Sequence, residues 1–543
     1  MQNRAIDPLI GPKYALEGKV VTMDDNYSVL DRGVVYIDNG EIVDVKPTGA
    51  PCPAGFENCL MIRTGGTIYP GLIELHNHLS YNVLPLWSVP EKYSNRSKWG
   101  GKPEYRKLIS GPMHVLGRTE GYVEAIVRYV ECKCLMGGVT TSQGIALYSN
   151  QGIRKYYRGI VRNVEETDEA SLPEAKTKIS DVDASKAEKF LERLQKSSCL
   201  LLHLSEGVDQ NAYQHFKALQ LNSGDWAITS ALSGIHAVAL KDQDFRIMKE
   251  HGGSMVWSPL SNLMLYGNTT EIKEAKDNGM LIGIGSDWSP TGSKNLLGEL
   301  KIAKIFSEQF NDIFSDQEIL SMATRNAAKI LKWDEVLGTI EKNKRADLMI
   351  IYGRKQDPYE RLFKSKESSI IMVVINGVPR FGQARLMKRF GAGTENWRVG
   401  RSQRILNLHQ ETADPVVGEL TLREAKDRLS EGMQKLPELA QALEAPRMAP
   451  EHRTLESAET EWYLVLDHNE LEGEAQRPHL PFGETRTPTG VIPGPVARVP
   501  LSQVLIPLEL DELTVSDDGQ FIDRIIQQQN LPVFIKSRLA DFF

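Results

Sequence analysis

Histidines and acidic residues follow apolar runs at four places between residues 71 and 287. His76 and His78 form a His-x-His pair at the end of one such run, in residues 71–80 (GLIELHNHLS). Residues i and i+2 of a strand point the same way, so both imidazoles face one side. At the C-terminal end of a barrel strand that side is the barrel mouth, where active sites are built.

Three more places repeat this arrangement. His203 ends the apolar run CLLLHL and Glu206 follows it, His236 follows a small apolar run, and Asp287 closes LIGIGSD. Imidazoles with one carboxylate suit zinc or iron(II), and a site with open positions is catalytic. Each residue alone has an ordinary structural explanation, such as a satisfied strand-end histidine or a helix-capping aspartate. Their joint order on successive strand ends favours a metal site.

Length and composition limit the class of protein. The chain has 543 residues, 41% hydrophobic and 25% charged, which is a globular composition with room for two or three domains. Its longest apolar run, Ile370–Ile375, is too short for a membrane helix. A net charge of -7 argues against nucleic-acid binding. Five scattered cysteines and a start without a signal-like segment predict a soluble, cytoplasmic protein without a membrane partner.

The rhythm of apolar residues changes along the chain and suggests three regions. Short strands and turns predict a composite β-sandwich domain from residues 1–67 and 336–385. Between them, residues 68–335 alternate buried strands with helices, which predicts a parallel α/β fold, a TIM-like (β/α) barrel. Residues 386–543 form an acidic, proline-rich C-terminal extension in which no chemistry is evident, and Arg477–Pro500 is expected to be extended.

These motifs together resemble the amidohydrolase superfamily, in particular its metal-dependent deaminase and chlorohydrolase branch. Besides the histidine and aspartate motifs, the likeness includes Gly138–Thr141 (GVTT), Ser258–Asn262 (SPLSN) and Ala323–Ala328 (ATRNAA), and it ends at residues 338–348. It covers residues 15–380. The resemblance implies a (β/α) barrel with a β-sandwich from both flanks. One barrel strand is expected to be short or missing near residues 176–183, which would make the barrel irregular.

The resemblance also implies a role for each motif residue. His76, His78, His203 and Asp287 match the ligands of one divalent metal, with zinc expected and iron(II) as the alternative. His236 matches a position that binds this metal or hydrogen-bonds its water. Glu206 matches the proton-shuttling glutamate, so the catalytic group is Glu206, His236 and Asp287. Lys196 stands in a polar helical stretch and does not suit the carboxylated lysine of dinuclear relatives.

Substrate contacts are predicted from weaker signals. Tyr81 and Trp87 follow the metal motif and are expected to line an aromatic wall over a planar ring, with a surface loop as the alternative. Arg162 on a strand could face an anionic group or form a structural ion pair. Trp257 replaces a histidine that many relatives carry, which casts doubt on a standard purine or pyrimidine substrate.

The predicted activity is hydrolysis of a carbon–nitrogen bond other than a peptide bond, namely deamination of a nitrogen heterocycle of small-molecule size. Opening of a cyclic amide or imidazolone ring, or displacement of a halide, are the alternatives at the same site. A non-catalytic scaffold is a further alternative, disfavoured because every expected ligand is present. By family analogy the protein is expected to be a homo-oligomer.

Overall fold

The structure is a computed structural model that describes residues 11–391, 393, 395–410, 414–445, 460–467 and 499–543. Residues 1–10 of the first predicted domain and most of Arg477–Pro500 lie outside these ranges. The described strands β1–β20 are Tyr14–Val21, Val29–Asp38, Glu41–Pro47, Leu60–Pro70, Leu72–Glu74, Val139–Ser142, Ala146–Ser149, Arg154–Tyr156, Arg162–Asn163, Ala175–Lys178, Cys199–Leu204, Leu232–His236, Ser254–Trp257, Leu281–Ile284, Leu348–Tyr352, Ile370–Ile375, Val378–Gln383, Glu395–Val399, Ser402–Leu406 and Trp462–Leu464.

Helices connect the strands and cover them. The described α-helices α1–α19 are Arg96–Trp99, Pro103–Tyr105, Gly111–Leu116, Tyr122–Met136, Ala187–Gln195, Gln210–Lys217, Asp242–Glu250, Pro259–Tyr266, Ile272–Asp277, Leu296–Gln309, Asp316–Met322, Arg325–Leu331, Pro358–Phe363, Ala384–Met387, Leu422–Gln434, Leu436–Glu444, Leu501–Val504, Phe521–Ile526 and Val533–Phe542. Within the described residues no helix is both long enough and apolar enough to cross a membrane.

Strands from both flanks of the central region form one nine-stranded mixed sheet, in the order β18-β19-β17-β16-β15-β4-β1-β2-β3. β4 joins the flanks because it pairs with β1 on one side and with β15 on the other. β19 pairs with β17 (Phe381 opposite Leu406), so the sheet continues past residue 385 into the extension. The predicted domain boundary at residue 385 stays a prediction. A second sheet layer, which would make a sandwich, stays a prediction.

The central region contains two parallel sheets, β5-β6-β9 and β10-β11-β12-β13-β14. β11 (CLLLHL) is buried along its whole length, as expected for a parallel strand covered on both faces. The strand expected to be short or missing is present as β10, four residues long. The edge strands of the two parallel sheets are linked at two places. Asn77, after β5, and Asp287, after β14, form a parallel bridge, and Ala175 N of β10 donates to the carbonyl of Val164, after β9, at 2.8 Å.

The C-terminal extension packs against the central region through buried charges. Asp511 accepts hydrogen bonds from Lys133 Nζ at 2.5 Å and Lys294 Nζ at 2.6 Å, and all three side chains are buried. Lys133 also donates to Asn82 O and Ser289 Oγ, in loops that follow His78 and Asp287. The extension is therefore linked through Lys133 to the loops that follow the candidate metal ligands.

We expect Asp511→Ala to destabilise the whole protein, because it leaves two buried ammonium groups without their shared carboxylate. Removing one partner of a buried ion pair typically costs about 3–5 kcal/mol. The matched control is Asp523→Ala, in the same extension, where the side chain is exposed. Thermal unfolding should show a melting temperature several degrees lower for Asp511→Ala and nearly unchanged for the control. Equal melting temperatures would contradict a stabilising role for this contact.

Candidate metal centre and active site

The motif residues gather at the carboxyl ends of the parallel strands. His76 and His78 follow β5, His203 lies in β11, His236 ends β12 and Asp287 follows β14. Parallel strands present their carboxyl ends at one edge of the sheet, so side chains far apart in the sequence meet there. The structure brings together all five residues that the sequence predicts as a metal-binding group.

The donor atoms of this group lie close enough to share one ion. Asp287 Oδ1 is 3.3 Å from His76 Nε2 and 3.4 Å from His78 Nε2. The nitrogen His203 Nε2 is 3.3 Å from His78 Nε2. Donor atoms of His76, His78 and Asp287 lie within 4.8 Å of one another, and so do those of His76, His203 and His236.

Unsatisfied polar atoms show that the group fits a cation. His76 is fully buried, yet neither ring nitrogen makes a hydrogen bond within the described residues. Buried polar groups are normally hydrogen-bonded or bind an ion. A cluster of imidazole nitrogens with one carboxylate oxygen is a donor set of the kind that zinc takes. A divalent cation therefore fits the residues present, although they do not identify which metal it is.

Burial and charge set the protonation of the ligands. Burial lowers the pKa of His76 to about 4 and that of His203 well below its usual value, so both are neutral at pH 7. For Asp287, burial would raise the pKa, but the neighbouring histidines outweigh it and hold the pKa well below its usual value. Neutral imidazoles and an ionised carboxylate are the forms that bind metal.

Several residues at the site have a strained backbone conformation, which sets the direction of their side chains. Ser205, His236 and Asp287 adopt left-handed conformations, with φ of 51°, 68° and 64°. Such conformations are costly for residues other than glycine and cluster at functional sites. Glu74 holds the loop before Asp287, because its carboxylate accepts hydrogen bonds from Ser286 N at 3.0 Å and Ser286 Oγ at 2.6 Å.

Glu206 lies in the loop after β11 and faces the group of candidate metal ligands. Its Oε2 is 3.7 Å from His236 Nε2 and 3.8 Å from Arg96 Nη1, and its Oε1 accepts a 2.5 Å hydrogen bond from the Tyr266 hydroxyl. The side chain is buried, with an exposed fraction of 6%. Glu206 is thus held beside the cluster in a position from which it can exchange a proton with a bound molecule.

A chain of hydrogen bonds fixes the orientation of His236. Asn262 Oδ1 lies 2.9 Å from His236 Nδ1, which leaves Nε2 directed at Glu206. Thr269 Oγ1 in turn lies within hydrogen-bond distance of Asn262 Nδ2 and accepts from Trp257 Nε1 at 2.8 Å. Trp257 thus has a structural role in this chain of hydrogen bonds, and its contact with substrate stays a prediction. Its ring is fully buried against Phe306 and Phe314, and its one polar atom is used inside the fold.

Aromatic rings line the side of the cluster near His78. The Trp288 ring centroid is 5.6 Å from that of His78, and Tyr81 and Tyr105 pack against Trp288 at 5.3 and 6.3 Å. Trp87 packs against Tyr105 at 6.2 Å, one ring further out. Tyr81 and Trp87 thus belong to an aromatic group as predicted, whereas their contact with substrate stays a prediction.

Arg162 does not serve the predicted role of an anion contact. Its guanidinium forms a buried ion pair with Asp347 Oδ2 at 2.5 Å and also donates to Thr141 Oγ1 at 3.1 Å. Asp347 lies where β4 leads into β5, because its carbonyl accepts a hydrogen bond from Gly71 N. Arg162 therefore joins the central strands to the nine-stranded sheet, the structural alternative considered from the sequence.

Several site residues are missing from the sequence prediction. Trp288 directly follows Asp287, and Tyr266 and Asn262 lie in α8 within or just after the SPLSN motif, so their positions carried a signal. The sequence around Arg96 and Asp467 gave no signal that these residues belong to the site. Asp467 belongs to the extension, and its Oδ2 lies 2.9 Å from His78 Nδ1.

Known proteins resemble this chain over most of its length. A family model described as the amidohydrolase family matches residues 214–379. A 5-methylthioadenosine/S-adenosylhomocysteine deaminase of Clostridium tetani is 24% identical over 405 residues, which cover 66% of this chain and 91% of the relative. A 5'-deoxyadenosine deaminase of Methanococcoides burtonii is 21% identical, covering 68% and 92%.

Solved structures share the fold. Atrazine chlorohydrolase from Arthrobacter aurescens, complexed with zinc, matches with a TM-score of 0.56 at 18% identity and covers 77% of this chain and 99% of its own. Guanine deaminase from Bradyrhizobium japonicum matches with a TM-score of 0.51 at 15% identity, covering 68% and 99%. The family match, the sequence relatives and this fold agree with the motif order along the strands. Residues 214–379 of the chain are thus similar to the amidohydrolase family.

Proposed function

We propose that this protein is a metal-dependent hydrolase of carbon–nitrogen bonds other than peptide bonds, and that it deaminates a nitrogen heterocycle. The observation that carries the proposal is the placement of Glu206 beside a cluster of metal donors, with its carboxylate 3.7 Å from His236. Metal donors alone would suit many hydrolases. A buried carboxylate held beside them adds the proton transfer that loss of an amine requires.

His76, His78, His203 and Asp287 would hold the ion, with His236 close enough to join them. When bound, a divalent ion supplies a water nucleophile at neutral pH by lowering the pKa of that water to about 7. The identity of the metal is part of the proposal, and zinc is the ion we expect. His76, His203 and His236 are buried, and the ring nitrogens of His76 have no hydrogen-bond partner within the described residues.

The protein groups would then move the protons. Asp287 accepts the proton of the attacking water as oxygen adds to the amine-bearing ring carbon. Glu206, protonated at the start, gives its proton to the adjacent ring nitrogen, then takes up the proton that the added hydroxyl loses as the carbonyl forms and passes it to the departing amine, which leaves as ammonia. The proton held by Asp287 returns to Glu206 and restores the starting state. His236, oriented by Asn262, stabilises the charge that develops on the attacking oxygen. The overall change is one water consumed and one ammonia released.

The proposed substrate class is an aminated purine, and a 5'-substituted adenosine is the first compound to test. The sequence relatives carry deaminase names for such nucleosides. The aromatic residues beside His78 suit a planar ring.

A finer description of the fold belongs to the same proposal. We infer that the eight parallel strands, β5, β6 and β9–β14, act as one TIM-like barrel whose mouth holds the site. The Asn77–Asp287 bridge and the Ala175–Val164 hydrogen bond support closure, since each joins the ends of the two parallel sheets. The nine-stranded sheet would then be the second domain, formed from both flanks.

We expect the purified protein to bind about one divalent ion per chain and His76→Asn to lose it, because His76 lies in both donor groups. Elemental analysis after dialysis measures the content. His251→Asn is the control, since that histidine pairs with Asp225 away from the cluster. Equal metal content in wild type and His76→Asn would contradict the assignment.

Glu206→Gln should lower ammonia release by about 10²–10⁴-fold, the usual contribution of a positioned acid–base group, while metal content stays at the wild-type value. Ammonia is measured with 5'-substituted adenosines, other aminated purines, pyrimidines, pterins and triazines. Glu192→Gln, at an exposed glutamate, is the control. Chloride release from chlorinated triazines, or a new carboxylate without ammonia, would instead support dehalogenation or ring opening.

Tyr266→Phe should reduce kcat by about tenfold with KM nearly unchanged, because a charge-assisted hydrogen bond to Glu206 is lost while the pocket keeps its shape. Steady-state kinetics on the best substrate measures both parameters. A rise in KM with unchanged kcat would show that Tyr266 contributes to binding and does not position Glu206.

A further inference from the structure

The sequence of the C-terminal extension shows no chemistry. One short segment of it nevertheless reaches the candidate metal ligands. In residues 460–467, β20 pairs antiparallel with β7, placing Trp462 opposite Ser149 and Leu464 opposite Leu147. Leu464 N donates to Gly117 O at 3.1 Å, and the side chains of Leu464 and Leu466 are buried. The segment is therefore fixed where it arrives at the site.

Asp467 ends this segment and contacts a candidate ligand directly. Its Oδ2 lies 2.9 Å from His78 Nδ1, and its backbone N donates to the Tyr81 hydroxyl at 3.3 Å. The other ring nitrogen, His78 Nε2, faces His203 and Asp287 at 3.3 and 3.4 Å. Both nitrogens of His78 are thus used, one toward the donor cluster and one toward the extension.

His78 differs from the other histidines of the cluster in this partner. His236 Nδ1 faces the neutral amide of Asn262, and His203 Nδ1 lies 3.4 Å from the backbone carbonyl of Lys178. A carboxylate that accepts the Nδ1 proton fixes the tautomer and the ring orientation, and it makes Nε2 a stronger donor to a metal. The contact with Asp467 therefore has a consequence for metal binding that the neutral partners supply less strongly.

We propose that Asp467 is a positioning residue for His78, so that the C-terminal extension completes the metal centre. The inference rests on the proposed metal site. A second contact points the same way, since Asp511 of the extension binds Lys133, which donates to Ser289 Oγ two residues after Asp287. The extension thus touches the two loops that follow β5 and β14 and supply His78 and Asp287.

The test compares zinc affinity in full-length wild type, Asp467→Asn, Asp467→Ala and the control Glu461→Gln, by competition with a chromophoric chelator. Glu461 lies in the same segment, and its carboxylate accepts a hydrogen bond from Tyr463 at the surface. Both Asp467 variants should bind zinc about 10–100-fold more weakly, the usual effect of losing such a partner. The control should bind as wild type does. The cobalt(II) absorption spectrum should shift in the Asp467 variants, and the melting temperature of the metal-free proteins should be unchanged.

Three results would overturn the inference, and they are distinguishable. If wild type binds zinc and the Asp467 variants keep its affinity and cobalt spectrum, Asp467 does not position His78, while the proposed function stands. If wild type binds no divalent ion, the proposed function fails together with this inference. A melting temperature lowered in the metal-free Asp467 variants, with affinity unchanged, would assign Asp467 a structural role and also overturn the proposal.

Discussion

Buried imidazoles crowd around a single carboxylate at the strand ends, and the surrounding fold has to accommodate them. Asp287 Oδ1 lies 3.3 Å from one histidine nitrogen and 3.4 Å from another, and neither ring nitrogen of His76 makes a hydrogen bond within the described residues. Burying such groups unsatisfied is costly, whereas a shared cation would satisfy them together. Because the donors come from separate strands, the parallel sheets must converge at one edge for the cluster to exist.

Contacts around the cluster hold its members in place. Left-handed backbone at His236 and Asp287 turns these side chains, Asn262 orients one imidazole, and Tyr266 holds Glu206. Such supporting groups decide whether a site is precise enough to act. The C-terminal extension also supports the cluster, through the contact of Asp467 with His78. The extension lies outside the part of the chain that resembles the family. It therefore bears on the metal centre as well as on stability.

Local pattern predicted the metal donors, because a histidine at the end of an apolar strand carries its geometry in its immediate neighbours. Pattern could not decide which way a strand residue points. Arg162 turns to Asp347 and Trp257 to the core, and both depend on elements more than ten residues away. The contact of Asp467 could not be predicted from local pattern, because its partner His78 lies almost four hundred residues earlier in the sequence. The continuation of the sheet past residue 385 was not predicted for a similar reason, because β19 pairs back onto β17.

We infer that the strand ends hold one ion between His76, His78, His203 and Asp287. Anomalous diffraction from crystals of the zinc-loaded protein, recorded on both sides of the zinc absorption edge, tests it most directly. The account predicts one strong peak at about 2.0–2.2 Å from the imidazole nitrogens and a carboxylate oxygen of Asp287, with the carboxylate of Asp467 on the far side of His78. A peak elsewhere, or none at full zinc loading, would contradict it.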